Sequence, residues 1–193
     1  MIIINKKICF IHIPKTAGRF IHETFKESGC NLEGSTSYIM YKEKDANHLT
    51  YPEHDHYLNY MPLKKFCVVR DPVDRFLSAI KSTWFFNEEK INDMFRTQSY
   101  FDETINNYCL NNFSNWLVPQ TNFIDYKTKI WRFENKFEKD FIEWVFSNFN
   151  IQITKLGNKS KYVSTDYNQI DLDDKKIKYI KDYYYKDYKL LDY

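Results

Sequence analysis

Residues 8–20 read ICFIHIPKTAGRF, a stretch that predicts a buried strand, a tight turn and the start of a helix. Five of its first six residues are apolar and several are β-branched, which is typical of a strand covered on both faces. Pro14 ends the strand because it has no N–H to donate, and Gly18 frees the backbone where the chain enters the helix. The turn therefore places N–H groups of a helix N-terminus beside Lys15 and Thr16. Such an arrangement favours an anion, of which phosphate is the natural example.

The turn by itself leaves the ligand open, because strand-turn-helix junctions are common and most of them bind nothing. It is not a Walker A loop, which requires the pattern G-x-x-x-x-G-K-[ST]. No glycine precedes Lys15 anywhere in the chain.

A second stretch of the same kind, residues 66–80, reads FCVVRDPVDRFLSAI. It predicts a short apolar strand, a turn with Asp71 as the helix cap, and a helix with Pro72 at its first position. Arg70 falls at the carboxyl end of the strand, and Ser78 falls two turns into the helix. A guanidinium fork and a nearby hydroxyl can together hold a second phosphate.

The two stretches resemble the sulfotransferases that use 3′-phosphoadenosine 5′-phosphosulfate (PAPS), and most of all the branch acting on carbohydrate hydroxyls, which includes the heparan and chondroitin enzymes. In that family an I-P-K-T-[AG]-[GS]-[TS] loop holds the 5′-phosphosulfate. A V-R-[DN]-P-x-x-R-x-x-S segment holds the 3′-phosphate through its first Arg and its Ser, which implies that role for Arg70 and Ser78. The resemblance implies that the 5′ group is bound by Pro14, Lys15, Thr16, Ala17, Gly18, Arg19 and Phe20. Arg19 stands where the family usually carries Ser or Thr, and its guanidinium can serve the same anion.

Weaker resemblances extend to the end of the chain, in residues 47–51, 116–120, 132–135, 158–161 and 185–193. The first of these places His48 where the family carries its histidine. The resemblance of residues 158–161 implies three further donor-binding residues, namely Asn158, Lys159 and Ser160.

The resemblance implies an in-line attack of an acceptor hydroxyl on sulfur, with 3′-phosphoadenosine 5′-phosphate (PAP) leaving. We expect His48 to take the hydroxyl proton, because imidazole has a pKa near neutrality. Lys15 is expected to stabilise the charge that grows on the oxygen between sulfur and the 5′-phosphate. No metal is required, and the spacing of His54 and His56 does not favour one. These two histidines, with Glu53 and Asp55, predict a solvated acidic surface instead.

Length, charge, cysteine content and apolar runs indicate the domain count and the class of the protein. The chain has 193 residues and a net charge of +2, which predict one domain over residues 1–193 and carry no bulk signature of a nucleic-acid binder. The four cysteines show no C-x-x-C pairing, so we expect reduced thiols that behave as small apolar residues. The apolar residues 1–4 are too few for a signal peptide and no run approaches a membrane span, so we expect a cytoplasmic protein of a bacterium or a virus-infected cell.

Alternating strands and helices predict an α/β fold, with a P-loop-like central parallel sheet flanked by helices. Residues 129–133 are a candidate strand, residues 137–149 contain an amphipathic helix, and residues 172–191 predict one final helix capped by Asp171 and Asp174. Lys15 and Arg70 both follow strands directly, and ligands of such sheets bind at the carboxyl ends of the strands.

Two alternatives stay open beside sulfuryl transfer to a carbohydrate or related hydroxyl. One is a nucleotide-dependent kinase of the P-loop type, which shares this architecture but would need a Walker A loop. The other is a module that binds PAPS or PAP but has no activity, because Arg19 alters the loop that holds the 5′ group. The acceptor is not specified, because acceptor pockets are built from loops that the patterns do not place.

Overall fold

The computed structural model describes residues 1–34, 40–41, 44–58, 61, 63–82, 87–111, 115–158 and 170–193. Its strands are β1 (Ile2–Ile4), β2 (Ile8–Ile11), β3 (Leu32–Glu33), β4 (Met40–Tyr41), β5 (Lys44–Asp45), β6 (Lys64–Val69) and β7 (Lys129–Arg132). Its α-helices are α1 (Gly18–Glu27), α2 (Glu53–Tyr57), α3 (Pro72–Ile80), α4 (Glu88–Met94), α5 (Gln98–Asn111), α6 (Lys139–Phe149), α7 (Asp174–Tyr183) and α8 (Tyr185–Leu191). Short 3-10 turns occupy Ala46–His48, Gln120–Phe123 and Phe133–Asn135.

A five-stranded sheet in the order β3-β1-β2-β6-β7 forms the centre of the fold, which confirms the predicted α/β architecture. Strands β2, β6 and β7 pair in parallel, so their carboxyl ends meet at one edge. The sheet is mixed, however, because β1 pairs antiparallel with both β2 and β3. The sequence predicts only a short apolar run over residues 1–4, whereas Ile2–Ile4 form a strand of this sheet.

Side chains of the central strands alternate between two apolar layers, as the period of two in a strand requires. Phe10, Phe66 and Val68 face the layer that α1 and α6 cover with Ile21, Phe25, Phe141 and Val145. Cys9, Ile11, Cys67 and Val69 face the opposite layer, which contains Leu49, Phe123 and Leu191. A third cluster joins α3 to α5 and α7 around Phe76, Phe101, Ile105 and Ile180. Helices therefore cover both faces of the sheet.

The helix boundaries confirm the capping of α3 and correct that of the last helix. Asp71 caps α3, since its side chain accepts a hydrogen bond from the Asp74 N–H at 3.0 Å, and Pro72 occupies the first position. The predicted final helix is two helices, because the helix is interrupted at Tyr184, between α7 and α8. The cap of α7 is Asp173, which accepts from the Lys176 N–H at 2.8 Å, and not the predicted pair of aspartates on either side of it.

All four cysteines are free thiols, and the two that were placed in strands are buried. Burial raises the pKa of Cys9 to about 12, so this thiol stays protonated and behaves as an apolar side chain. Among the helices that the structure describes, none is both long and apolar enough to cross a membrane.

Candidate active site

The turn between β2 and α1 has a constrained backbone that is fixed by one internal hydrogen bond. Lys15 and Ala17 both adopt positive φ values, 68° and 72°, a region that non-glycine residues rarely enter. The fully buried Thr16 hydroxyl donates to the Ile13 carbonyl at 2.8 Å and closes the turn. The Thr16 proton is therefore used within the turn.

Gly18 is needed for a different reason from the one that the sequence suggested. The left-handed residues are its neighbours, whereas Gly18 itself begins α1. A β-carbon built at Gly18 would lie 1.8 Å from Nε2 of His12, so no larger residue fits beneath that ring. The glycine permits close approach of a side chain rather than an unusual φ.

The N-terminus of α1 faces this turn with unpaired donors. The first helical hydrogen bond runs from the Ile21 N–H to the Ala17 carbonyl at 3.0 Å, so the N–H groups of Gly18, Arg19 and Phe20 have no partner within the helix. The first turn contains no acidic residue that could neutralise the helix dipole. The Phe20 side chain packs in the core, 5.0 Å from the Phe137 ring, so only its backbone remains for a ligand.

Lys15 reaches across to the turn that follows α3. Its Nζ donates to the Ser82 hydroxyl at 2.5 Å, and that hydroxyl donates to the Ser78 carbonyl at 2.8 Å. Nζ also lies 5.8 Å from the centre of the Trp116 ring. Burial, followed by the charges of Arg19 and Arg70, lowers the pKa of Lys15 to about 8. Three cations thus converge where a bound anion would relieve their repulsion.

Arg70 lies directly after β6, at the same edge of the sheet. Its guanidinium stacks over the Phe133 ring at 4.7 Å and reaches Asp74 only at 3.8 Å. Its Nε is buried and has no hydrogen-bond partner among the described residues. The buried Gln120 side chain fixes the Arg70 backbone by accepting from its N–H at 2.9 Å and donating to its carbonyl at 2.8 Å. The backbone is held firmly while the side chain keeps donors for a ligand.

His48 enters the site from the 3-10 turn that ends at this residue. It is 8% exposed, and its ring lies 4.6 Å from the His12 ring and 5.8 Å from the Trp116 ring. Its carbonyl accepts from the Asn115 amide at 2.9 Å, and the same amide nitrogen lies 3.2 Å from the Glu53 carboxylate. Because Lys15 contacts the same Trp116 ring, the structure brings the predicted lysine and histidine to one indole.

Residues 116–121, which we call the anchor segment, carry Trp116 and Gln120 into the site. The fully buried Arg75 donates to the carbonyls of Trp116 at 3.0 Å and Val118 at 2.7 Å. The fully buried Asp187 of α8 accepts from the N–H groups of Gln120 at 2.8 Å and Thr121 at 3.0 Å. Tyr184, at the break between α7 and α8, donates to a further carbonyl of the segment at 2.6 Å. The segment is therefore fixed by three buried side chains from distant parts of the chain.

The predicted donor-binding residue Asn158 lies beside α1. The N–H of Asn158 donates to the Glu23 carboxylate at 2.8 Å, and the Gly157 N–H donates to the Thr24 hydroxyl at 2.9 Å. Both acceptors are on the first two turns of α1. Lys159 and Ser160 lie outside the described residues.

The expected acidic surface around His54 is only partly present. His56 is exposed, but His54 is fully buried, with Nε2 3.1 Å from the Phe123 carbonyl. Burial lowers the pKa of His54, so it is a neutral core histidine. Asp55 pairs with Lys65, which also binds Asp125 at 2.9 Å. The prediction that His54 lies on solvated surface was wrong, because α2 packs this face onto the chain near Phe123.

A cavity of about 590 Å³ lies at the other end of the strands, away from these residues. It is lined by the lysines Lys6, Lys7 and Lys64 and by apolar residues that include Ile8 and Phe149. We place the candidate site at the carboxyl edge of the sheet, because the convergent cations and the free helix N-terminus are there. Within the described ranges, no group of three or more His, Cys, Asp or Glu side chains is arranged to hold a metal ion.

Sequence reasoning missed three residues of the site, and two of them carry a local signal. His12 directly follows β2 and precedes the turn at Lys15, and Ser82 lies four residues after Ser78, just beyond the end of α3. Gln120 was noted only as part of a family-like segment. Its pairing with the Arg70 backbone joins residues 50 positions apart, so no local pattern reveals it.

A family model described as the sulfotransferase family matches residues 1–126. The chain belongs to the sulfotransferase family. The matched range contains the turn at Lys15, His48, Arg70, Ser78 and the anchor segment. Phe133, Asn158 and the α7–α8 supports lie outside it. Searches of the curated proteins and of the solved structures gave no match.

Proposed function

We propose that this sulfotransferase moves a sulfuryl group from PAPS to a hydroxyl of a carbohydrate or a related acceptor. The observation that carries the proposal is the convergence of Lys15 and Arg70 from two neighbouring strand ends, close enough that Arg70 contributes to the lowered pKa of Lys15. Family membership supports sulfuryl transfer in general. The donor, the acceptor class and the base are proposed from the geometry and from the resemblance of the motifs.

The residues at the sheet edge fit a donor with two separate phosphates. The N–H groups at the start of α1, together with Lys15 and Arg19, form one anion site. Arg70, with its unpartnered buried Nε, and Ser78 on α3 form the second. PAPS carries phosphates on opposite sides of its ribose, which matches two sites supplied by adjacent parallel strands.

When bound, PAPS supplies a sulfuryl group that is activated by a phosphate leaving group. His48 removes the proton from the acceptor hydroxyl as the bond between acceptor oxygen and sulfur forms. Lys15 donates a hydrogen bond to the bridging oxygen, which takes the electron pair of the breaking bond to sulfur. The products are the sulfated acceptor, PAP and a protonated His48, which returns its proton to solvent.

The half-buried Trp116 ring, next to both His48 and Lys15, supports a carbohydrate as the acceptor. A flat aromatic face beside the base suits the apolar face of a sugar ring, and an indole packs without losing much conformational freedom. The cytoplasmic location and the single-domain extent over residues 1–193 stay predictions.

The proposal is tested by comparing PAP with ADP, which lacks the 3′-phosphate, in thermal unfolding of the whole chain. We expect PAP to raise the melting temperature more than ADP does. Arg70→Ala should remove most of that difference, because a hydrogen bond to a charged group contributes about 1.5–3 kcal/mol. Arg96→Ala is the control, since Arg96 is exposed and contacts Asp93 and the Tyr100 ring instead of the residues of the candidate site.

Incubation with labelled PAPS and a panel of polysaccharides and small hydroxyl compounds then tests the transfer itself. Labelled sulfate on an acceptor supports the enzyme. PAP binding with no transfer to any acceptor favours a binding module instead, and equal stabilisation by ADP and PAP refutes the 3′-phosphate site.

A further inference from the structure

His12 contacts the candidate base His48, and the proposed mechanism does not use it. It leaves the end of β2, stacks on the Phe10 ring at a centroid distance of 5.9 Å, and meets the His48 ring at 4.6 Å. On its far side, Nε2 fits against Gly18 so closely that a β-carbon there would lie 1.8 Å away. The imidazole is therefore held between a strand, a helix start and His48.

We infer that His12 is a positioning residue, whose fixed ring holds the His48 imidazole against Trp116 in the orientation needed to take the acceptor proton. This inference rests on the proposed sulfuryl transfer. His48 ends a 3-10 turn of three residues and has no strand or long helix to fix it. Its ring contacts the rings of His12 and Trp116, at 4.6 and 5.8 Å.

The surroundings of His12 suit a residue that positions a base without competing for its proton. Burial holds the pKa of His12 well below its usual range, and the neighbouring His48, the charged N-terminal amine of Met1 and Arg19 lower it further. The helix N-terminus next to Nε2 also disfavours an imidazolium. His12 stays neutral, so a proton taken from the acceptor remains on His48.

The test compares His12→Ala with wild type in turnover, PAP affinity and the NMR signal of the His48 ring. Loss of the contact should lower kcat by about 10- to 100-fold, since a misplacement of about 1 Å can cost 10²-fold. The dissociation constant of PAP should change less than about threefold, because the phosphate sites are untouched. The His48 ring signal, assigned as the one absent from His48→Ala, should move towards that of free imidazole. His56→Ala, an exposed histidine on α2, is the matched control and should change none of the three.

A pair of variants at Gly18 separates positioning from stability. Gly18→Ala should destabilise the fold by forcing the His12 ring aside, and Gly18→Ala/His12→Ala should recover much of the lost melting temperature because the clash is gone. Turnover of the double variant should stay as low as that of His12→Ala. A recovered melting temperature without recovered kcat at saturating PAPS, with PAP affinity near that of wild type, is explained neither by a structural role for His12 nor by damage to the donor site at Gly18.

The inference is overturned if His12→Ala retains wild-type kcat, if the His48 signal does not move, or if PAP affinity falls in proportion to the rate. The last result would make His12 a donor-binding residue. If the wild-type protein transfers no sulfate, the proposed function fails, whereas the NMR comparison still decides whether His12 fixes His48.

Discussion

The lowered pKa of Lys15 makes donor binding depend on pH in a defined direction. The free protein holds this pKa at about 8 through burial and the charges of Arg19 and Arg70, against a usual value of 10.5. A bound phosphate stabilises the charged amine and raises the pKa towards its usual value. Binding of PAP above pH 8 must therefore take up a proton, and affinity must fall as pH rises.

The size of the effect follows from these two values. Above pH 8 the affinity should fall by up to about tenfold per pH unit, because only the protonated fraction of Lys15 is ready for the anion. Between pH 7 and pH 9.5 this amounts to about 30-fold. The phosphates of PAP do not contribute, because their second pKa is about 6 and they are fully charged throughout this range.

Calorimetric titration with PAP, in two buffers of different ionisation enthalpy at each pH, measures both quantities. Proton uptake should be close to zero at pH 7 and about one per PAP at pH 9. Lys15→Met should bind more weakly at pH 7 and lose the pH dependence. Lys139→Met should keep it, since Lys139 is 86% exposed and its ion-pair partner within the described ranges is Glu143. An affinity that stays constant from pH 7 to 9.5, or a slope that survives in Lys15→Met, would refute the placement of the donor phosphate at Lys15.

Two further variants probe the base and the anchor segment. His48→Ala should lower kcat by about 10²–10⁴-fold with PAP affinity near wild type, measured by labelled-sulfate transfer and calorimetry, and retained activity would remove His48 as the base. Asp187→Asn should lower the free energy of unfolding in urea by about 1–3 kcal/mol, because the amide cannot accept all the bonds now received from Gln120 and Thr121. Asp182→Asn, on the exposed face of α7, should stay within about 0.5 kcal/mol, and an equal loss in both variants would contradict the anchoring role.

The two strand-turn-helix junctions at Lys15 and Arg70 could be predicted because their signals are local. Apolar runs, Pro14, the cap at Asp71 and the positions of Lys15 and Arg70 all lie within a few residues of the turn they define. The antiparallel strand β1 escaped prediction because three isoleucines carry no alternation to distinguish a strand from a short apolar terminus. The interruption of the last helix at Tyr184 could not be predicted, because the Tyr184 hydroxyl binds the Leu117 carbonyl, 67 positions earlier, and no local pattern reveals that contact.

The environment of His48, the proposed base, could not be predicted for the same physical reason. His54 and His48 look alike in sequence, as polar residues in a segment rich in histidine. Tertiary packing buries His54 against the Phe123 carbonyl and brings His48 into contact with two rings. Resemblance to the family selected His48, whereas the local expectation that His54 is exposed was wrong.

The arrangement explains how a chain of net charge +2 could hold a highly anionic donor. The attraction is concentrated at one edge of the sheet, where Lys15, Arg19 and Arg70 meet the N-terminus of α1 with few carboxylates to compensate. The buried carboxylate of Asp187 is directed at the anchor segment instead, where it binds backbone N–H groups rather than the cations. Because strand ends position the cations and the anchor segment positions Trp116 beside His48, donor affinity and turnover should respond to different sets of mutations.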